Sequence, residues 1–123
     1  MHCIGVDIVE IARLEEAVAR WGEDFLRRVY TDTELELYRQ KLPSLAVRFA
    51  AKEAVIKALG QQDQKASLKD IEVLSGPGGQ PVVNLYGQAQ QQARLMGLGE
   101  LAVSLSHSKE YAVAFVSGDS KLT

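Results

Sequence analysis

The side chains with the most chemical potential in this sequence are charged residues set in apolar surroundings. Asp7 lies between Val6 and Ile8 within an otherwise apolar, β-rich run from Cys3 to Val9. A carboxylate in such a strand costs several kcal/mol unless a cation or hydrogen-bond donors meet it. Arg48, Lys52, Glu53 and Lys57 interrupt a stretch, Leu45 to Leu59, that reads as a helix. At ~100° per residue its apolar side chains point in nearly every direction, so it should be largely buried. Glu53 and Lys57 are four apart with the acid first, the favourable order for an ion pair. Arg48 and Lys52 are also four apart but like-charged, which is unfavourable unless a polyanion, phosphate above all, fits between them. Plainer readings stand beside these. Asp7 is a strand-end acid capping a neighbouring helix, and Arg48 and Lys52 snorkel to water from a half-exposed face.

Two acids without a His or Cys partner suit a hard cation such as Mg²⁺, which takes few carboxylates and fills its sphere with water and substrate phosphates. Asp7 and Glu53 with nearby cations therefore sketch a site for metal-assisted phosphate chemistry. Ser104-Leu105-Ser106-His107-Ser108 invites a hydrolase reading, which is weak. Adjacent residues of one strand point to opposite faces, and no G-x-S-x-G elbow surrounds any serine. The same hydroxyl-rich segment, followed by Lys109, can bind an anion or simply make a turn. Walker A, G-x-G-x-x-G after a strand, H-E-x-x-H and paired C-x-x-C motifs are absent.

These residues need elements to hold them. After the first strand, Ile11, Leu14, Val18 and Trp21 have helical spacing, closed by Gly22. Thr31 and Glu34 form a capping-box signature before Leu35, Leu37 and Tyr38. Pro43 should break that helix and Ser44 cap the next, which stops at Gly60. Ile71 to Leu74 and Val82 to Tyr86 read as strands around the turn cluster Gly76 to Pro81. Gln88 to Met96 reads as a helix ending at Gly97 or Gly99. Leu101 to Leu105 and Tyr111 to Val116 read as an antiparallel pair. Helices and strands in separate runs indicate an α+β fold. The 123 residues make one domain, 1-123, with 46% hydrophobic and 24% charged residues, the balance of a globular chain. A net charge of −2 excludes a globally basic nucleic-acid binder. A single cysteine, Cys3, excludes an internal disulfide framework. With no apolar run long enough for a membrane span and no signal-peptide pattern, the expected location is cytoplasmic.

Three segments together resemble a known family. They are Gly5 to Leu14 (GVDIVEIARL), Arg48 to Ala54 (RFAAKEA) continued by Lys57-Ala58-Leu59-Gly60, and Ser104 to Ala114 (SLSHSKEYAVA). In this order, over nearly the whole chain, they resemble the short bacterial 4′-phosphopantetheinyl transferases, the holo-[acyl-carrier-protein] synthase type. The resemblance implies an antiparallel sheet packed against a long buried helix, assembled as a trimer with sites between subunits. It implies transfer of the 4′-phosphopantetheine arm of coenzyme A to a serine of acyl carrier protein, releasing adenosine 3′,5′-bisphosphate. It further implies that Asp7 and Glu53 ligate Mg²⁺, that Glu53 helps deprotonate the serine, and that Lys57 neutralises or protonates the leaving phosphate. Arg48, Lys52, Gly79, Pro81, Ser106, His107 and Ser108 match positions around coenzyme A. Arg13 matches an arginine that meets the acidic carrier, and Arg20, seven residues on, shares its helix face. The chain departs from the family at Gln80, where many relatives have lysine, and at Gln61-Gln62-Asp63, where they have small residues. The alternatives are a non-catalytic coenzyme A or nucleotide-binding module, against which Asp7, Glu53 and Lys57 argue, and a divalent-metal phosphohydrolase.

Overall fold

The computed structural model describes residues 2–60 and 67–121, so the Gln61-Gln62-Asp63 departure lies outside the described residues. The chain runs β1 (His2–Glu10), α1 (Ile11–Val29), α2 (Asp32–Tyr38), α3 (Leu42–Ala58), a 3₁₀ turn (Leu68–Asp70), β2 (Ile71–Ser75), β3 (Pro81–Leu85), α4 (Gly87–Leu95), β4 (Leu98–His107) and β5 (Tyr111–Ser120). β5 lies between β1 and β4 in an antiparallel sheet, and β2 and β3 form a separate hairpin. The fold is thus α+β, with helices and antiparallel strands segregated along the chain.

α3 crosses the inner face of the sheet because both surfaces carry small residues. Ala50, Ala51 and Ala54 on the helix and Ala114 on β5 are fully buried. Gly5 sets the approach of β1. A Cβ at that position would fall 1.9 Å from the Ala54 carbonyl oxygen, so only glycine fits. Side chains alternate along a strand, and Asp7 is two residues from Gly5. Its carboxylate therefore faces the helix just beyond the closest contact. The opposite sheet face is bare: Ile4 is 58% exposed, Val6 52%, Ile8 63% and Phe115 46%.

Several boundaries differ from expectation. Gly22, with φ of 58° and ψ of −135°, does end one helix, but a second segment continues at once to Val29 and only a kink separates them. Trp21 consequently leaves the buried stripe formed by Ile11 and Leu14 and lies 59% exposed. α3 begins at Leu42, with Pro43 in its first turn where no backbone N–H is needed, so Ser44 is inside the helix rather than its cap. The Thr31–Glu34 capping box is present. β4 and β5 each extend for 10 residues, longer than their apolar cores indicate.

Candidate active site

Two carboxylates and one ammonium meet where β1 faces α3. Lys57 Nζ donates to Asp7 Oδ1 at 3.0 Å and to the Val6 carbonyl at 3.0 Å. Asp7 is thus satisfied by a cation from the helix and does not cap a helix end. Glu53 lies one turn before Lys57 on the same stripe of α3, half-buried. Burial first, and then the Asp7 charge, push the Glu53 carboxyl above its ordinary range, with Lys57 pulling the other way. Two facing carboxylates therefore share one monovalent cation, a charge deficit that an added divalent ion would fill. The donors are oxygens only, and among the described residues no group of three His, Cys, Asp or Glu side chains surrounds a point. That set fits a hard ion whose remaining ligands come from water and phosphate.

Asp7 and Glu53 open onto a cavity of about 410 Å³, walled by Leu14 and Ala17 of α1 and by Phe25 and Phe49. The two phenyl rings stack at 6.3 Å with an interplanar angle of 20° and form its apolar wall. Arg13, exposed on α1, lines the same cavity. Arg20 instead lies over the Trp21 ring at 5.0 Å, further along the helix. A second cavity, against His107, Ser108 and Pro43, shares Glu10 and Tyr111 with the first, so the two adjoin.

The expectation of a phosphate between Arg48 and Lys52 is corrected. Lys52 is fully buried, and its three ammonium hydrogens go to Glu34 Oε1 (2.7 Å), the Leu68 carbonyl (3.2 Å) and the Ile71 carbonyl. No donor remains for a coenzyme phosphate. Burial pushes the Lys52 ammonium pKa down, opposed by the Glu34 charge. Glu34 in turn accepts from the Thr31 and Val73 backbone N–H groups at 2.9 and 2.8 Å. Thr31 Oγ1 passes the network on to Glu72, which also accepts from Asn84 and Tyr86. Lys52 therefore ties α3 to α2 and to β2. Arg48 makes a similar tie to the hairpin: Nε donates to the Val73 carbonyl at 2.8 Å, Nη1 to Ser44 and Nη2 to Ser75. Its guanidinium stacks on Tyr38 at 3.5 Å. Three of its five N–H groups are used, which leaves two at an edge of the side chain.

Of the remaining expected residues, His107 and Ser108 line the adjoining cavity, while Arg48, Gly79 and Pro81 line neither. Gly79, with φ of 83°, belongs to the β2–β3 turn, closed by Gly76 N–H to Gln80 O at 2.7 Å, and Pro81 opens β3 just after it. Ser106 and His107 end β4, and both are exposed. The Ser108 hydroxyl accepts from the Glu110 and Tyr111 N–H groups at 3.3 and 3.1 Å, so it also shapes the hairpin. Neither cavity includes Arg48, Gly79 or Pro81. Arg48 and Glu53 are five residues apart on α3, about 140° around the helix. The residues that sequence reasoning missed are Phe25, Phe49, Glu34 and Tyr38. Phe49 stands four before Glu53, a helical spacing that could have revealed it.

A small antiparallel sheet crossed by a helix that presents an acid and a lysine to an acidic strand defines a class. The chain belongs to the 4′-phosphopantetheinyl transferase superfamily, whose profile matches residues 3–116. It is 54% identical over 112 residues to the holo-[acyl-carrier-protein] synthase of Dehalococcoides mccartyi, covering 91% of this chain and 93% of that one. Among solved structures it resembles Helicobacter pylori holo-[acyl-carrier-protein] synthase in complex with coenzyme A, with a TM-score of 0.82 and 34% identity over 94% of this chain and 99% of that one. The Neisseria meningitidis holo-[acyl-carrier-protein] synthase gives 0.85 and 32% over 95% and 97%.

Proposed function

We propose that this chain transfers the 4′-phosphopantetheine group of coenzyme A to a serine of apo-acyl carrier protein. The observation that carries the reading is the pairing of Asp7 with Lys57 opposite Glu53, at the mouth of an apolar-walled cavity. The serine oxygen forms a bond to the phosphorus bearing the pantetheine arm. The bond from that phosphorus to the bridging oxygen breaks, and adenosine 3′,5′-bisphosphate leaves. Glu53, half-buried on a largely buried helix, accepts the serine proton directly or through one water. Lys57 neutralises the charge that develops on the leaving phosphate. Asp7 and Glu53 would hold Mg²⁺, which supplies charge neutralisation on the pyrophosphate.

His107, Ser106 and Ser108 would contact the coenzyme, together with Gly79 of the hairpin turn, Pro81 at the start of β3 and the free edge of Arg48. The absence of Arg48, Gly79 and Pro81 from the cavities beside Asp7 and Glu53 supports a homotrimer with sites shared between subunits. The bare apolar sheet face of Ile4, Val6, Ile8 and Phe115 supports the same assembly. Arg13, at the cavity that holds the carboxylates, meets the acidic carrier, and Arg20 extends that basic strip along α1. Residues 1-123 act as one transferase domain. Among the described residues no helix is long and apolar enough to cross a membrane, and the proposed location is cytoplasmic. Incubation with coenzyme A and Mg²⁺, with and without apo-carrier, tests the assignment by mass spectrometry. A transferase consumes coenzyme A only with the carrier, a hydrolase consumes it in both mixtures, and a binding module in neither.

A further inference from the structure

Lys57 has two acidic neighbours and uses one. The spacing on α3 favours an ion pair with Glu53, yet its ammonium reaches across to the strand, 3.0 Å from Asp7 Oδ1. Among the described residues Glu53 has no ion pair. The Lys57 side chain is 38% exposed and that of Asp7 17%, so the ammonium has an open path to water. Lys52, one helical turn and one residue away, is fully enclosed and has none. Asp7 is therefore met by a cation that can leave, while the immovable lysine serves the core.

We propose that Lys57 is the resident counter-cation of Asp7 and competes with the divalent ion for that carboxylate, so that ion entry moves the ammonium off the strand. The inference rests on the metal reading given above and adds a positioning step to it. With Lys57 on Asp7, one positive charge stands against the two carboxylates of Asp7 and Glu53. Both carboxylates would be offset by a bound ion of two positive charges, which would repel the ammonium beside it. Lys57 is anchored by its backbone one turn from Glu53, so the displaced ammonium stays within reach of that carboxylate and of the anion that accompanies the ion. The charge that neutralises a leaving phosphate is thereby released only once the site is loaded.

The test is metal affinity in the absence of coenzyme, read with Mn²⁺ by electron paramagnetic resonance of the free ion. Lys57→Met should bind Mn²⁺ at least about tenfold more tightly than the parent chain, because a competing charge is removed from a partly exposed site. Lys57→Arg, which keeps the charge, should stay near the parent value. A merely structural lysine gives the opposite sign, since loosening the site weakens binding. Equal or weaker Mn²⁺ affinity in Lys57→Met overturns the inference. A second readout needs no variant: the side-chain Cε resonance of Lys57 in the parent chain should shift on saturation with Mg²⁺, and an unmoved resonance also overturns it. Asp7→Asn separates the two levels of the argument. If it binds Mn²⁺ as tightly as the parent, the metal reading fails and the inference with it. If it loses the ion while Lys57→Met gains nothing, only the inference fails.

Discussion

Lys52→Met should unfold this protein far more readily without touching coenzyme recognition. Lys52 and Glu34 have side chains 0% exposed and pair at 2.7 Å. Removing one member of a buried pair strands the other charge, at about 3–5 kcal/mol. Against a total stability of ~5–15 kcal/mol for a domain, that is about a fifth or more of what holds the chain together. At roughly 3–5 °C per kcal/mol for a chain of this size, the melting temperature should fall by about 10–20 °C. Methionine fits the space of the lysine stem, so the loss comes from charge and hydrogen bonds rather than from a cavity. The double variant Glu34→Gln/Lys52→Met removes both charges of this pair, so neither is stranded. It should be more stable than Lys52→Met alone by about 1 kcal/mol or more, despite carrying two changes. Circular-dichroism melts of the parent, single and double variants measure these differences, and calorimetry below the transition measures coenzyme A affinity. A Lys52→Met protein that melts within a few degrees of the parent yet binds coenzyme A much more weakly would refute the reasoning. It would return Lys52 to the phosphate.

Three further outcomes follow from the same geometry. Burial and Asp7 raise the Glu53 carboxyl above its ordinary 4.5, so this group does not oppose folding below that pH and opposes it as pH rises through the raised value. Glu53→Gln should therefore abolish transfer while raising the metal-free melting temperature at pH 7, a gain that disappears near pH 4; equal gains at both pH values contradict the electrostatic cause. Gly5→Ala places a Cβ 1.9 Å from the Ala54 carbonyl oxygen and should cost about 3 kcal/mol or more, with a lower kcat in whatever folds; a melt within 1–2 °C of the parent, roughly the resolution of such scans, would mean that β1 is free to back away. Arg13→Glu should raise KM for the carrier, leave coenzyme A binding unchanged and recover in high salt, because exposed charges act through a screened long-range field; unaltered carrier kinetics at low ionic strength would remove α1 as the docking surface.

What could be read from the sequence was local. Asp7 stands out because one strand with one acid is a short-range pattern, and Glu53 with Lys57 because helical spacing makes their shared face explicit. The partner of Lys52 was out of reach for a physical reason. Glu34 is 18 residues away, and its role in the Thr31 capping box already accounts for it. The same carboxylate in fact caps α2 with one oxygen, shares that oxygen with the buried ammonium, and takes the Val73 N–H with the other. Two like charges four apart therefore looked like a phosphate clamp, when each was directed to a tertiary acceptor on β2 or α2. Gly22 was rightly read as a helix stop. A helix resuming immediately afterwards leaves no gap in composition, so the kinked continuation to Val29 and the exposure of Trp21 were not legible. Pro43 misled because proline both breaks helices and opens them, and only the chain direction after α2 distinguishes the two.

The central claim is that the Asp7–Glu53 site moves phosphopantetheine from coenzyme A to a carrier serine. Intact-mass analysis of apo-acyl carrier protein, incubated with coenzyme A, Mg²⁺ and either the parent chain or Asp7→Asn, tests it most directly. The parent should add one phosphopantetheine group per carrier and release an equal amount of adenosine 3′,5′-bisphosphate, while folded Asp7→Asn adds none on the same timescale. An unmodified carrier with the parent chain, or modification by Asp7→Asn at the parent rate, would contradict the account.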